Sequence, residues 1–289
     1  MSITAVPTDR TDVCEDPKSP LFIIEPGRHA LALDLAELWR YRDLLYFLTR
    51  RDIAVRYKQT VLGLLWAVLQ PFLSMVVFTV FLGTLAGVPS DGIPYPVFSY
   101  LGLLPWTYFA SALARSSGSL VASANLLTKV YFPRIILPLS GVLSALVDFA
   151  VAFVVLIFIM AWYGIPFGWS VLALVPLVAL TALAALGAGL GLAALNVRYR
   201  DVQHAVPFFI QIWMYATPVV YPASLVPEKW RLVFALNPMT GIIESYRAAT
   251  LGRPVDWQAL AVAAGVIVLL SILGVWQFRR VERTFADVV

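Results

Sequence analysis

The chain has 289 residues, of which 60% are hydrophobic and only 13% are charged, and its mean hydropathy is +0.82. Soluble domains carry about 25% charged residues. This chain has too few charges to cover the surface of a globule in water, so its composition excludes an ordinary soluble enzyme. Several apolar stretches are longer than the roughly 18 residues that indicate a membrane span. The composition predicts an all-α, polytopic membrane protein.

Residues 1–33 are polar and rich in acids, and they predict a cytoplasmic N-terminal segment. The first 20 residues have no apolar core of a cleavable signal peptide, so the first span is expected to act as the insertion signal. The only cysteine, Cys14, lies in this segment. A single thiol provides neither an internal disulfide nor a cysteine-based metal site.

Residues 34–58 predict an amphipathic helix. Apolar side chains recur at steps of three and four and share one face, at Leu38, Tyr41, Leu45 and Leu48. From residue 40 onwards, six cations face only two acids: Arg40, Arg42, Arg50, Arg51, Arg56 and Lys58 against Asp43 and Asp52. Such a helix is expected to lie in the membrane interface with its cations towards anionic head groups. A cytosolic helix packed against a partner protein is the alternative.

Residues 59–285 form the predicted transmembrane domain. Its six apolar stretches predict six membrane-spanning helices at about 61–85, 97–115, 136–162, 170–195, 205–222 and 257–278. The third and fourth are separated only by a short Gly/Pro turn and predict a hairpin. Residues 227–252 are broken at Asn237-Pro238, and each half is too short to cross a bilayer. They predict two re-entrant half-helices on the periplasmic side.

The distribution of positive charge predicts the orientation. With the N-terminus in the cytoplasm, 17 of the 21 Lys and Arg residues lie on the cytoplasmic side, so the positive-inside rule places both termini there. Because topology accounts for the positive charge, the net charge of +4 does not indicate nucleic-acid binding.

The sequence contains no recognisable motif for nucleotide binding, metal binding or catalysis. No G-x-x-x-x-G-K-[ST] loop for nucleotide phosphates occurs, so any ATP must be bound by another subunit. His29 and His204 lie far apart, no H-x-x-x-H or D-x-D metal pattern occurs, and no carboxylate pair stands at catalytic spacing beside a span. We therefore predict no catalytic residue, metal or cofactor in this chain. A membrane-embedded transferase is the weaker alternative.

Asp148 is the only acid placed deep in a predicted span. A charge there costs at least about 2.5–3.5 kcal/mol on insertion scales, so its side chain must face protein or water. We expect it to accept hydrogen bonds from hydroxyls such as Ser140, Ser144 or Thr181, because no other charged group is predicted within the spans. A proton relay is the alternative. A conduit without a charged cluster suits a bulky neutral or polar polymer better than an ion.

Small residues form a ridge on the fourth predicted span, at Ala184, Gly187, Ala188, Gly189 and Gly191. Small side chains let the backbones of membrane helices approach closely. The ridge predicts helix packing within the subunit, and a dimer seam is the alternative.

Four sequence blocks carry a resemblance to a known family. They are RYKQTVLGLLWAVLQP at residues 56–71, LLTKVYFPRIILPLS at 126–140, NVRYRDV at 196–202 and NPMTGIIESYR at 237–247. With these blocks in this order, the chain resembles, over about residues 35–285, the membrane subunits of ABC-2 transporters that export polysaccharides. The similarity is to the branch that handles O-antigen, capsule and teichoic-acid chains.

The resemblance implies a permease that exports lipid-linked polysaccharide, such as O-antigen, across the bacterial inner membrane. It implies a homodimer with two copies of a cytoplasmic ATPase that bind ATP and Mg, and a path for the cargo between the two halves. Residues 34–58 would be the interface helix, in contact with membrane lipids, and residues 227–252 would lie at the periplasmic mouth. An ABC-2 permease for another cargo, such as teichoic acid, a drug or a lipid, is the alternative.

The resemblance also suggests three groups of site residues. Coupling to the ATPase would use an aromatic anchor flanked by charge, although a plain positive-inside loop is the alternative: Asn125, Lys129, Tyr131, Phe132, Pro133 and Arg134. Cations at the cytoplasmic leaflet suit a lipid pyrophosphate, with topology anchoring as the alternative: Arg50, Arg51, Arg56 and Lys58. Aromatic rings that would stack on sugars are candidates to line a channel: Trp66, Phe72, Trp106, Tyr108, Phe109, Trp213 and Tyr215.

Overall fold

The computed structural model describes residues 35–58, 63, 65–166 and 168–282. Within these residues the protein is helical and has no β-strand, in agreement with the predicted all-α class. The predicted segment 1–33 lies outside the described residues, as do residues 59–62 and 283–285 of the predicted transmembrane domain.

Eleven α-helices follow one another along the described part of the chain. They are α1 Leu35–Arg40, α2 Arg42–Tyr57, α3 Leu65–Phe78, α4 Tyr95–Ala122, α5 Ala124–Leu127, α6 Ile136–Trp162, α7 Leu174–Arg198, α8 Val202–Tyr215, α9 Glu228–Ala235, α10 Pro238–Leu251 and α11 Trp257–Glu282. A π-helical stretch, Thr79–Leu85, continues α3, and the 3₁₀ turn Trp169–Ala173 leads into α7.

Five of these helical segments are long and apolar enough to cross a membrane. They are Leu65–Leu85, Tyr95–Ala122, Ile136–Trp162, Trp169–Arg198 and Trp257–Glu282. They correspond to five of the six predicted spans, and they make the chain a multi-pass membrane protein.

The fifth predicted span is shorter than expected. Helix α8 has 14 residues and ends at Tyr215, whereas the predicted span continues to residue 222. A proline disfavours helical backbone in the residue that precedes it, and Pro218 therefore limits the helix at Thr217. A 14-residue helix is about 21 Å long, which is less than the roughly 30 Å of a hydrocarbon core.

Helix α4 occupies the centre of the fold. It packs against α6, α7, α3 and α10, and most of its side chains are buried. The large hydrophobic core lies around it and includes Tyr100, Trp106 and Phe109 of α4 together with Tyr246 of α10. In the other four apolar helices at most 39% of the residues in the most apolar stretch are buried, which leaves side chains to contact lipid.

The predicted amphipathic helix is divided at Tyr41 into α1 and α2, and α2 packs along α6. Asp52 meets Ser140, and Tyr57 meets Asp148, so α2 contacts α6 at two positions that lie about two turns apart on α6. Asp148 lies twelve residues, or about 18 Å, along α6 from Ile136. The C-terminal end of α2 therefore lies beside the middle of a spanning helix. Helix α2 thus packs against a membrane-spanning helix, which the prediction of an interface helix did not include.

The small residues of α7 pack within the subunit, as predicted. A Cβ at Gly187 would lie 2.7 Å from the Ser271 Cα of α11, and one at Gly189 would overlap Ser116 of α4. On the α11 side, a Cβ at Gly274 would overlap the carbonyl oxygen of Gly187. Without a hydrophobic drive between helices in lipid, such close approach supplies the packing contacts.

Gly274→Ala tests this contact against Gly265→Ala on the same helix. Gly274→Ala is expected to lower the free energy of unfolding by about 1–3 kcal/mol, because the added methyl group overpacks the α7–α11 contact. Gly265 has open space around its Cβ position, so its replacement should leave stability unchanged or slightly raised. Thermal unfolding of the detergent-purified chain measures both effects, and equal midpoints for the two variants would contradict the packing account.

Candidate functional site

Asp148, near the middle of α6, binds side chains from two other helices. The Tyr57 hydroxyl of α2 donates a hydrogen bond to carboxylate oxygen Oδ1. The Arg115 guanidinium of α4 pairs with Oδ2, and Arg56 of α2 approaches the same oxygen with its Nη1 at 3.2 Å. We call these four residues the Asp148 cluster. Three helices therefore meet at one carboxylate.

Further polar contacts that α6 makes with α4 and α2 support the cluster. Ser144 accepts a hydrogen bond of 3.0 Å from Arg115 Nη1, which orients the guanidinium. One turn earlier on α6, Ser140 donates to Asp52 Oδ2 at 3.1 Å. Asp52 in turn pairs with Arg51 Nη2 at 2.9 Å. Helix α2 is thus held to α6 by polar bonds at two positions, about two turns apart on α6.

Two predictions for Asp148 are wrong. The expected hydroxyl donors make other bonds, since Ser144 accepts from Arg115 and Thr181 donates within its own helix. A charged cluster is present, although none was predicted along the spans. The reason is that the predicted second span ended at residue 115, whereas α4 continues to Ala122. Arg115 therefore lies about 10 Å inside a spanning helix and not in a loop.

The Asp148 cluster carries more positive than negative charge and remains partly exposed. Two guanidiniums face one carboxylate. The side chains of Arg56, Arg115 and Asp148 are 44%, 21% and 14% exposed. Ionised side chains at membrane depth face protein or a water-filled cavity. Among the described residues, no three His, Cys, Asp or Glu side chains are grouped to hold a metal ion.

The other predicted pyrophosphate cations lie near the cluster along α2 but in different settings. Arg50 and Lys58 are exposed to the surroundings. Arg51 is half-buried and paired with Asp52. Only Arg56, of the four, joins the Asp148 cluster.

The two aromatic side chains of the predicted coupling segment, residues 125–134, lie in different environments. Tyr131 is 65% exposed, and Asn125 and Lys129 are exposed beside it. Phe132 is only 4% exposed and lies in a hydrophobic cluster with Leu48 of α2 and Phe278 of α11. Tyr131 is therefore the aromatic that can reach a partner, and Phe132 anchors the segment to the subunit.

Arg134 connects the coupling segment to the end of α11. Its Nη1 donates to the backbone carbonyl of Glu282, one of the last carbonyls of the helix, which have no partner within it. Arg279 of α11 pairs with the Glu282 carboxylate at 2.8 Å. Pro133, next to Arg134, is buried. Arg134 and Phe132 therefore both connect the segment to α11.

The candidate channel aromatics also fall into two groups. Trp106, Tyr108 and Phe109 are at most 3% exposed and pack in the core of the subunit, so in this structure they do not face a channel. Trp213 is half-buried and contacts the rings of Trp106 and Phe109. The aromatics that retain a free surface are Trp66, Phe72 and Tyr215.

A buried cation that was not predicted lies at the opposite end of α4 from the Asp148 cluster. Arg247 of α10 is 4% exposed, and it donates to the carbonyls of Pro218 at 3.0 Å and Val219 at 2.6 Å. It pairs with Glu244 at 2.8 Å, and its guanidinium lies 3.8 Å from the ring centroid of Phe98 in α4. Glu244, three residues earlier on the same helix, is the sequence feature from which this ion pair could have been predicted.

The break at Asn237-Pro238 is confirmed, and it separates α9 from α10. The Asn237 side chain caps α10 by accepting from the Met239 N–H at 3.1 Å. It also accepts from Trp213 Nε1 at 3.0 Å and donates to Thr217 Oγ1 at 2.8 Å. Asn237 therefore joins α10 to α8 and to the turn that follows it.

Comparison with known proteins places these features in a family. A family model described as ABC-2 type transporter matches residues 43–251. The chain is 37% identical over 254 residues to the O-antigen export system permease protein RfbA of Myxococcus xanthus. This alignment covers 85% of this chain and 96% of that protein. The chain is 30% identical over 250 residues to the protein of the same name from Klebsiella pneumoniae, covering 86% and 95%.

A more distant relative is the polysialic acid transport protein KpsM of Escherichia coli, at 26% identity over 206 residues, or 70% of this chain and 78% of that protein. The region matched by the family model contains the Asp148 cluster, the coupling segment and all of α10. The chain belongs to the ABC-2 type transporter family.

Proposed function

We propose that this chain is the permease subunit of an ATP-driven ABC transporter that exports lipid-linked polysaccharide, such as O-antigen, across the bacterial inner membrane. The observation that carries the proposal is the alignment with a relative named as an O-antigen export permease over 96% of that protein's length. Similarity over nearly the whole relative favours the same role for the whole membrane domain. The similarity to a polysialic acid transporter supports polysaccharide as the cargo class.

The proposed topology has six spans with both termini in the cytoplasm. Helix α8 and the turn after it would form the remaining span, and α9 and α10 would re-enter the membrane from the periplasmic side. The excess of Lys and Arg on the side of the termini supports this orientation. The Arg247 and Asn237 contacts, which hold α10 against α8 and α4, support a fixed position for the re-entrant pair.

The energy source in this proposal is a cytoplasmic ATPase, of which two copies bind a homodimer of this chain. ATP and Mg would bind the ATPase, since this chain has no loop for nucleotide phosphates. Exposed Tyr131 would insert into the ATPase. Buried Phe132 and the bond from Arg134 to α11 would pass movement of the coupling segment to α2 and α11.

Deletion of the gene in the bacterium that encodes it tests the proposed cargo. Surface polysaccharide should disappear, lipid-linked polysaccharide should accumulate in the inner membrane, and a plasmid copy should reverse both changes. Gel electrophoresis of surface glycolipid, together with extraction of polyprenyl-linked sugars, measures the two pools. Unchanged surface polysaccharide in the deletion strain would refute the proposal.

Single substitutions of Tyr131 and Phe132 test the coupling assignment. Truncation of an aromatic interface anchor typically costs about 2 kcal/mol or more, so Tyr131→Ala should weaken ATPase binding at least about tenfold and reduce export while the chain remains stable. Phe132→Ala removes a buried side chain and should lower stability by about 3–5 kcal/mol. Co-purification of the ATPase and thermal unfolding separate the two effects.

Tyr163→Ala serves as the matched control, because Tyr163 is an exposed tyrosine at the opposite end of α6. This variant should retain both ATPase binding and export. Wild-type ATPase binding by Tyr131→Ala would show that the segment is a plain cytoplasmic loop.

A further inference from the structure

We propose that Arg56 and Arg115 form a binding site for the phosphate of the exported lipid's head group, and that Asp148 occupies this site as an internal counter-ion until the phosphate binds. The proposal rests on the function proposed above, which supplies a lipid-linked cargo. It adds Arg115 and Asp148, from two spanning helices, to the cations of α2.

The face of the subunit that carries the Asp148 cluster must meet water. The cluster lies about 18 Å along α6, well inside a helix that crosses the membrane. Arg56 is nonetheless 44% exposed on its side chain. Because charged groups at this depth avoid lipid, the exposed side of the cluster faces a polar path. Phe158, further along α6 and 70% exposed, has the apolar character of a lipid-facing position.

The charges within the cluster do not balance. Two guanidiniums share one carboxylate, which leaves one positive charge without a partner in the cluster. Each guanidinium has five N–H donors, and within the described part of the chain only some of those on Arg56 and Arg115 are used. A phosphate group offers several acceptor oxygens and more negative charge than a carboxylate. Guanidinium forks match phosphate geometry, so the unused donors suit this ligand.

The two arginines are already positioned. Both approach the same oxygen, Asp148 Oδ2, so they lie close enough for one phosphate to contact both. Ser144 holds the Arg115 guanidinium from the side at 3.0 Å. A site whose donors are ordered before binding loses less conformational entropy when the ligand arrives.

The consequence is competition between the ligand and the α2–α6 contact. Phosphate binding would replace the ion pairs of Arg56 and Arg115 with Asp148, so that Tyr57, the Asp52–Ser140 bond and the packing of Leu48 would remain to hold α2 on α6. Binding of the head group is therefore coupled to release of α2. By reciprocity, a firmer α2–α6 contact lowers the affinity for the head group.

A binding experiment on the full chain tests this site. The chain is reconstituted in phosphatidylcholine nanodiscs, and native mass spectrometry measures binding of a polyprenyl pyrophosphate, with the corresponding polyprenol and inorganic pyrophosphate as separate arms. The wild type should bind polyprenyl pyrophosphate in preference to both. Arg115→Gln should lose at least about tenfold in affinity, since a charge-assisted pair is removed. Arg42→Gln, an exposed arginine at the start of α2, is the matched control and should bind as the wild type does.

Asp148→Asn distinguishes a competing counter-ion from a structural support. Asparagine can still accept from Tyr57 but no longer neutralises the arginines, so affinity should rise at least about fivefold, the lower end of usual coupling between sites. A loss of affinity equal to that of Arg115→Gln would overturn the competition. If Asp148→Asn does not fold, hydrogen exchange of α2 in the wild type decides the point. The ligand should speed exchange of residues 52–57, and unchanged or slower exchange would overturn the proposal.

The remaining outcomes also decide the question. Wild-type affinity in Arg115→Gln would refute the site, and equal binding of inorganic pyrophosphate would assign it to a soluble phosphate compound and refute the lipid head group. Pyrophosphate binding by a chain whose deletion leaves surface polysaccharide unchanged would refute the proposed function but not the site. If export requires the chain but Arg115→Gln has no effect on binding, the proposed function stands and the proposed site is refuted.

Discussion

The need of Asp148 for counter-ions within the membrane is the constraint from which the arrangement of α2, α4 and α6 follows. Hydrocarbon offers no partner to a charge, so a carboxylate within a spanning helix must find its counter-ions in the protein or in water. Asp148 finds them on α2 and α4, and this requirement places the end of α2 beside the middle of α6. The polar contacts among these three helices therefore form because the hydrocarbon around them cannot solvate a charge.

Helix α4 links three regions of the molecule: the surroundings of Arg247, the Asp148 cluster and the coupling segment. Near its start, Phe98 supports the buried Arg247 of α10. Towards its other end, Arg115 joins the Asp148 cluster, and Leu120 is buried in the hydrophobic cluster that contains Phe132 of the coupling segment. A 28-residue helix is about 42 Å long. One rigid element thus connects the segment proposed to bind the ATPase with the region proposed to lie at the periplasmic mouth.

Local sequence patterns predicted much of the fold but little of the cluster. Hydropathy located five spanning helices, and Asn237-Pro238 marked the break between α9 and α10, because length and proline chemistry act over a few residues. The pairing of Arg115 with Asp148 joins positions 33 residues apart, and the predicted span ended at Arg115 itself, whereas α4 continues to Ala122. Burial of Phe132 likewise requires α2 and α11, which are distant in sequence. The contacts that define the site are therefore those that local patterns do not record.

The central claim is that the charged face at Asp148 meets water within the membrane, and thiol accessibility tests it most directly. In a Cys14→Ser background, Arg56→Cys and Phe158→Cys are treated with a membrane-impermeant cationic methanethiosulfonate in inside-out vesicles. A thiol reacts with this reagent in water and not in hydrocarbon. The account predicts rapid modification at position 56 and little at position 158, although both side chains are exposed in the single subunit. Equal protection of both positions would contradict it.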